Sequence, residues 1–199
     1  MIRIVGTSFV LALVLAAPSV SQAALITYFA TLSGPAESPP NASPGTGFAQ
    51  VDFDLAAHSL HISVTFSGLL GTTTASHIHA ATTVPGTGTA IVATQVPTFS
   101  GFPLGVTSGT YDQTFDTSLA SFYNPAYVTA NGNTVPLAEA AFATALAEGR
   151  AYLNIHTTFA PGGEIRGFLA PIPEPSSIAL LGCGAIGVLA LSRRRKARA

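Results

Sequence analysis

The sequence predicts a mainly β, antiparallel fold: a β-sandwich or a Greek-key barrel with one short helix. Three observations support this class. Several short segments alternate apolar and polar residues with a period of two, which is typical of strands with one buried face. The chain has 19 glycines and 14 prolines, which favour turns between these segments. A single alanine-rich stretch has the composition of a helix. Many short strands separated by turns indicate a sandwich or a barrel.

Residues 1–23 have the organisation of a secretory signal peptide. Arg3 supplies the positive charge, residues 10–17 form a short apolar run, and small residues precede the bond between Ala23 and Ala24. This pattern predicts cleavage by signal peptidase at that bond. An uncleaved N-terminal membrane anchor is the alternative, for which the apolar run is short.

The first half of the domain predicts three strands. Residues 24–34 form the first, and a loop rich in proline follows over residues 34–45. Residues 48–55 and 60–67 alternate apolar and polar side chains on both sides of a short turn, so they predict a hairpin with one buried face.

Residues 75–79 predict a further strand. Because side chains alternate across a strand, His77 and His79 share one face. Further strands are predicted at residues 89–96 and 109–115.

The second half predicts one helix and one hairpin. Residues 136–149 are rich in alanine and end in a glycine, as expected for a helix with a glycine C-cap. Residues 151–157 and 164–169 then alternate around a Pro-Gly-Gly turn, which predicts two paired strands.

Charge and cysteine content exclude several classes of protein. The formal net charge is −1, but residues 24–170 contain eight acidic and only two basic side chains. An acidic domain excludes nucleic acid as a partner, because phosphate binding requires a basic surface. Cys183 is the one cysteine, so no intrachain disulfide forms and the domain depends on its core for stability.

The composition changes at residue 171, where a three-part tail begins. It consists of a Pro-Glu-Pro motif, an apolar segment at residues 178–191 and a cluster of arginines. With its flanking serines the apolar segment reaches the lower limit for a membrane helix, and the arginines place its end on the cytoplasmic side. A permanent single-pass anchor is one interpretation. The residues that define the motif and the basic cluster are Pro173, Glu174, Pro175, Arg193, Arg194 and Arg195.

This tail, at residues 171–199, resembles the PEP-CTERM sorting signal. The resemblance implies a Gram-negative bacterium that makes exopolysaccharide. It also implies recognition by an exosortase, a membrane enzyme thought to cut near the motif. The expected route is an intermediate anchored in the inner membrane, followed by the cell surface or extracellular matrix.

The middle of the chain, residues 24–170, resembles the CHRD domain named after chordin. The resemblance implies a β domain, but the family's bacterial members have no settled activity to transfer. Ala80 and Ala81 depart from the family pattern, which often has a glycine soon after the His-x-His pair. The growth-factor partner of chordin does not apply to a bacterium. The resemblance is carried by residues 29–34, Glu37, Pro39, Pro40, 45–47, 68–69, 77–79, 108–109, 149–157 and 163–167.

Three histidines in these motifs form the candidate site. His77, His79 and His156 each lie on a strand whose apolar residues point to the opposite face, so we expect them to leave the core together. A His-x-His pair with a third imidazole suits zinc or copper(II), and Glu164 is a candidate to orient a ligand.

The alternative is a hydrogen-bonded polar network that holds strands and loops together. A hairpin register that pairs His156 with Glu164 also places Asn154 opposite Arg166. In this interpretation Glu164 and Arg166, or Arg166 and Asn154, satisfy one another.

No catalytic machinery is predicted. A copper–zinc superoxide dismutase also carries His-x-His on a β-sandwich, but it needs more histidines, an aspartate ligand and a bridging imidazole. The sequence has no nucleophile elbow, and His58 and His61 are predicted to be incidental. We therefore expect a non-catalytic binding or structural protein, with exopolysaccharide or surface proteins as partners. The alternative is a metal-binding module for copper or zinc, with protection against oxidants as its candidate role.

Overall fold

The computed structural model describes residues 25–171. The predicted signal peptide at residues 1–23, its cleavage site, and the Pro-Glu-Pro motif, apolar segment and arginine cluster lie outside the described residues. Within residues 25–171, no helix has both the length and the apolar character needed to cross a membrane.

Eight strands and two α-helices make up the described part of the chain. Two single 3-10 turns, Gly34–Ala36 and Ala120–Phe122, accompany them. The strands are β1 (Ile26–Ser33), β2 (Thr46–Asp54), β3 (Ser59–Ser67), β4 (Thr73–His79), β5 (Gly109–Asp116), β6 (Tyr152–Thr157), β7 (Ile165–Phe168) and β8 (Ala170–Pro171), and the helices are α1 (Pro125–Ala130) and α2 (Val135–Ala147).

The strands form one antiparallel sheet in the order β4-β6-β7-β1-β2-β3-β5, and β8 also pairs with β1. The sheet curls into a half-barrel. The prediction of a mainly β, antiparallel fold is therefore confirmed. Where the sequence predicts a β-sandwich or a Greek-key barrel, the structure has a single curled sheet. The predicted hairpin at residues 151–169 supplies β6 and β7, which connect β4 to the rest of the sheet.

The apolar half of each alternating pattern forms the core. Leu60 and Ile62 on β3, and Leu153 and Ile155 on β6, are fully buried. Helix α2 covers part of this face through Phe142, which is also fully buried. Burying side chains of this size contributes about 1.5–3 kcal/mol each, which explains how the domain is held without a disulfide.

The predicted strand at residues 89–96 is wrong. This segment makes only isolated bridges, which pair Val92 with His79 and Thr94 with Tyr123. Its threonines and valines have the composition of a strand, but Thr94 uses its side-chain hydroxyl to accept a hydrogen bond from the backbone N–H of Ile78. Pro97 then ends any ladder, because it has no N–H to donate.

The continuation of this segment spans the two edge strands of the sheet. Phe99 donates its backbone N–H to the carbonyl of Ser76 on β4. Its ring lies 6.1 Å from that of Tyr111 on β5. The loop therefore covers the core between the free edges of β4 and β5.

The sequence predicts a single helix, at residues 136–149, and the described part of the chain has two α-helices. Helix α1 begins at Pro125, and the side chain of Asn124 accepts a hydrogen bond from the N–H of Ala126 as its N-cap. The Asn-Pro pair is the sequence signal for this start. Helix α2 matches the predicted helix closely, but Thr134 makes no side-chain capping bond.

Candidate functional site

The candidate site lies on one face of strands β4 and β6. The register pairs His77 with Asn154 and His79 with Tyr152, and places His156 one pair further along, diagonal to His77. Because side chains alternate, all five point away from the face that carries Ile78 and Leu153. The structure thus brings the three predicted histidines together.

The three imidazoles are close enough to bind one metal ion together. One ring nitrogen from each of His77, His79 and His156 lies within 4.8 Å of the other two. The shortest of these distances is 3.2 Å, between Nδ1 of His77 and Nε2 of His156.

The opposite ring nitrogens are each held by a backbone carbonyl. His77 Nε2 lies 2.6 Å from the oxygen of Pro97, and His79 Nδ1 lies 2.9 Å from that of Ala90. His156 Nδ1 lies 2.9 Å from the carbonyl oxygen that precedes the Gly-Gly turn. A carbonyl oxygen only accepts, so each of these nitrogens must carry the proton. The loop at residues 80–97 therefore fixes the ring orientation of the first two histidines.

Burial favours the neutral form of the three imidazoles. His77 is 6% exposed and His79 is 9% exposed. Burial is the main cause that lowers the pKa of His77 and His156, and it lowers the pKa of His79 to about 4. Neutral imidazole is the form that binds metal ions.

A stack of planar groups supports His79. Its ring is parallel to that of Tyr152, with an interplanar angle of 6° and 4.8 Å between centroids. The guanidinium carbon of Arg166 lies 4.7 Å from the centroid of the same tyrosine ring. Such contacts between a cation and an aromatic ring contribute about 0.5–2 kcal/mol.

Arg166 is held by two loops and one carboxylate. Its side chain donates hydrogen bonds to the carbonyls of Ala36 and Gly88, and its Nε lies 3.7 Å from Glu37 Oε2. Both charged side chains are buried. Burial raises the pKa of Glu37 to about 7, although the nearby Arg166 acts in the opposite direction. No site residue is predictable in this loop, because a proline-rich loop carries no periodic pattern.

Asn154 lies beside this pair. It faces Arg166 in the strand register, as predicted. A side chain at Gly163 would collide with both the Asn154 amide and Glu37, so glycine is required there. Within residues 25–171, the buried oxygens Asn154 Oδ1 and Glu37 Oε1, like His79 Nε2, have no hydrogen-bond partner.

Glu164 does not orient a histidine. Its carboxylate accepts hydrogen bonds from the hydroxyls of Ser43 and Thr157 and from the backbone N–H groups of Leu70 and Gly71. These bonds lower its pKa even though burial acts to raise it. It therefore joins three loops to the end of β6, and the buried partner of Arg166 is Glu37.

The two histidines predicted to be incidental lie away from this cluster. His58 contacts Glu139 at 2.9 Å. His61 lies 3.2 Å from both Asp52 and Asp112.

The fold and site together define an antiparallel β domain that carries a cluster of three histidines, of which His77 and His79 are buried and His156 is half-buried. A family model for the CHRD domain matches residues 28–169, so the chain belongs to the CHRD family. A second model, for the PEP-CTERM protein-sorting motif, matches residues 171–196. Neither family is catalytic. No curated protein and no solved structure matches the chain. The PEP-CTERM motif marks an exported protein that is sorted by an exosortase in Gram-negative bacteria.

Proposed function

We propose that this protein is a non-catalytic binding or structural component of the cell surface or extracellular matrix. The observation that carries the proposal is the PEP-CTERM motif at residues 171–196, directly after the CHRD domain at residues 28–169. Strand β8, at Ala170–Pro171, pairs with β1, so the chain is still part of the sheet where the sorting motif begins.

In this proposal the two ends of the chain direct its export. Signal peptidase cleaves between Ala23 and Ala24, and the apolar segment at residues 178–191 holds the chain in the inner membrane with its arginines in the cytoplasm. An exosortase then recognises the tail and delivers the domain to the surface.

An aromatic pair in which Phe48 is exposed and Phe29 half-buried supports a binding role. The rings of Phe29 and Phe48 stack with their centroids 5.3 Å apart, and Phe48 is 46% exposed. Gln50 and Thr65 lie beside Phe48 along the same strand and across the strand pair. A flat apolar surface bordered by hydrogen-bonding groups suits the faces of the sugar rings of an exopolysaccharide or the surface of another envelope protein.

The sorting step is tested by changing Pro173, Glu174 and Pro175 together to alanine in a host that has an exosortase. Cell fractionation should find the wild-type domain at the surface or in the medium, and the variant in the inner membrane. Ser177→Ala, just outside the motif, is the matched control and should behave as wild type. Equal distribution of the variant and the wild type would contradict the proposal.

A metal-binding module is the second candidate function, with protection against oxidants as its role if the metal is copper. The specific observation in its favour is that three imidazole nitrogens lie within 4.8 Å of one another. Elemental mass spectrometry of the purified chain should find about one equivalent of copper or zinc, lost in His156→Ala. Absence of metal after incubation with both ions would remove this candidate.

A further inference from the structure

The carbonyl contacts of the three histidines determine which nitrogen of each ring is free. In a neutral imidazole one nitrogen carries a proton and the other carries a lone pair. The protons lie on the nitrogens that face carbonyl oxygens, which are Nε2 of His77 and Nδ1 of His79 and His156. The lone pairs are therefore on His77 Nδ1, His79 Nε2 and His156 Nε2.

One nitrogen of each ring lies within 4.8 Å of a nitrogen of the other two, and two of the lone pairs face each other directly. His77 Nδ1 and His156 Nε2 lie 3.2 Å apart, the distance of a hydrogen bond, yet neither has a proton to donate in this arrangement. His79 Nε2 is buried and has no partner among the described residues. Three acceptors without a donor between them favour a cation.

We infer that one zinc or copper(II) ion is bound by Nδ1 of His77 and by Nε2 of His79 and His156. This inference rests on the second candidate function and specifies its ligand atoms. Metal-binding histidines generally donate their other N–H to a carbonyl or carboxylate, as these three do.

The described residues supply three ligands, which leaves the fourth position of a tetrahedral ion unfilled by them. The cluster contains three ligand residues, and no carboxylate belongs to it within residues 25–171. A tetrahedral ion thus keeps one position for water or a small anion. Three neutral imidazoles do not neutralise the charge of the ion, and Arg166 nearby adds further positive charge. Azide or cyanide therefore serves as a probe of that position.

Tyr152 and Arg166 act as positioning residues for His79. The ring of Tyr152 stacks on His79, and the guanidinium group of Arg166 contacts the same tyrosine ring. Tyr152→Phe keeps the ring and its stacking, whereas Tyr152→Ala removes the support. We expect Tyr152→Ala to bind metal about 10–100-fold more weakly than wild type, and Tyr152→Phe, which loses only the hydroxyl that accepts from the N–H of Ala90, to retain most of the affinity.

The first test is nitrogen-15 NMR of the full chain in detergent, without metal. Long-range proton–nitrogen correlations should show a protonated Nε2 on His77 and a protonated Nδ1 on His79 and His156. Zinc should then shift only the opposite nitrogens. A zinc-induced shift on any other set of nitrogens overturns the inference.

The second test is electron paramagnetic resonance of the copper(II)-loaded chain, which should show three nitrogen ligands and a spectrum altered by azide. His79→Ala should weaken copper binding by more than about 100-fold, a larger loss than changes to supporting residues cause. His61→Ala, which changes a histidine outside the cluster, is the matched control and should leave the spectrum unchanged. Circular dichroism verifies that each variant is folded.

The outcomes separate the inference from the function on which it rests. If neither zinc nor copper binds, the metal-binding function fails and the inference fails with it. If metal binds but is lost in His61→Ala, or shows a different nitrogen set, the function stands and only the inference fails.

Discussion

Histidines lie on two regions of the same sheet, and their surroundings are opposite. His61 on β3 lies between Asp52 and Asp112, which raise its pKa although burial acts first to lower it. Burial is the largest cause that lowers the pKa values of His77 and His79 on β4, and the positive charge of Arg166 lowers that of His79 further. Alternation of histidine with apolar residues is therefore compatible with either a charged surface site or a neutral buried one.

The difference between the regions comes from the loops. The face of β4, β6 and β7 is covered by residues 80–97 and by the proline-rich segment at 34–45, which contribute the carbonyls of Ala90 and Ala36. In the region around β3 and β5, by contrast, the side chain of Asp112 is 74% exposed. Strand pattern thus determines which face a histidine occupies, and loop cover determines its chemistry.

The largest expected effect concerns the carboxylate of Glu164, which holds the proline-rich segment and the Leu70–Gly71 loop to the end of β6. Glu164→Ala removes the acceptor of four hydrogen bonds and leaves buried donors unpaired, so we expect a loss of about 4 kcal/mol in the free energy of unfolding. Urea denaturation followed by circular dichroism measures this loss. Glu148→Ala, at an exposed ion pair with Arg150, is the matched control and should change stability by less than about 1 kcal/mol. A loss as small as that of the control would show that Glu164 does not hold the loops.

The strands and the shared face of the histidines were predictable from the sequence, because both follow from a period of two. The proximity of His156 to His77 also needed the pairing of β4 with β6, which the sequence does not specify. The pairing of Asn154 with Arg166 was predicted correctly from the hairpin turn.

The contacts of the charged side chains were not predictable. Glu164 follows a glycine with a φ of 133°, and its carboxylate reaches Thr157 and Ser43. Glu37 reaches Arg166 from a loop more than a hundred residues earlier in the chain, and no local pattern indicates such a contact. The false strand at residues 89–96 shows the same limit, because its side chains compete with the ladder for hydrogen bonds.

The second effect depends on pH and concerns Glu37. Its pKa is raised from 4.5 to about 7 in the folded protein, so the folded state binds this proton more tightly than the unfolded state. The stabilising effect of the proton is complete below pH 4.5 and is lost as the pH rises through about 7. The loss is at most about 3 kcal/mol.

Urea denaturation between pH 4.5 and pH 8 measures this loss. In Glu37→Gln, a neutral side chain replaces the protonated acid, and the fall in stability across this range should be smaller by that amount. Glu148→Gln, at an exposed carboxylate, should retain the profile of the wild type. Identical profiles for Glu37→Gln and the wild type would show that Glu37 is ionised in the fold with no loss of stability.

The smallest effect is at the exposed histidine. Because the pKa of His61 is raised above 6.5, its stabilising contacts are complete below that pH and are lost as the pH rises through the folded value. The contribution to stability is a few tenths of a kcal/mol, since Asp112 is largely exposed. NMR titration of His61 should show the raised pKa in the wild type and a lower value in Asp112→Asn. Ser118→Ala, at a surface residue away from His61, is the control. If His61 titrates below 6.5 in the wild type, the two histidine regions share one electrostatic environment, and loop cover does not distinguish them.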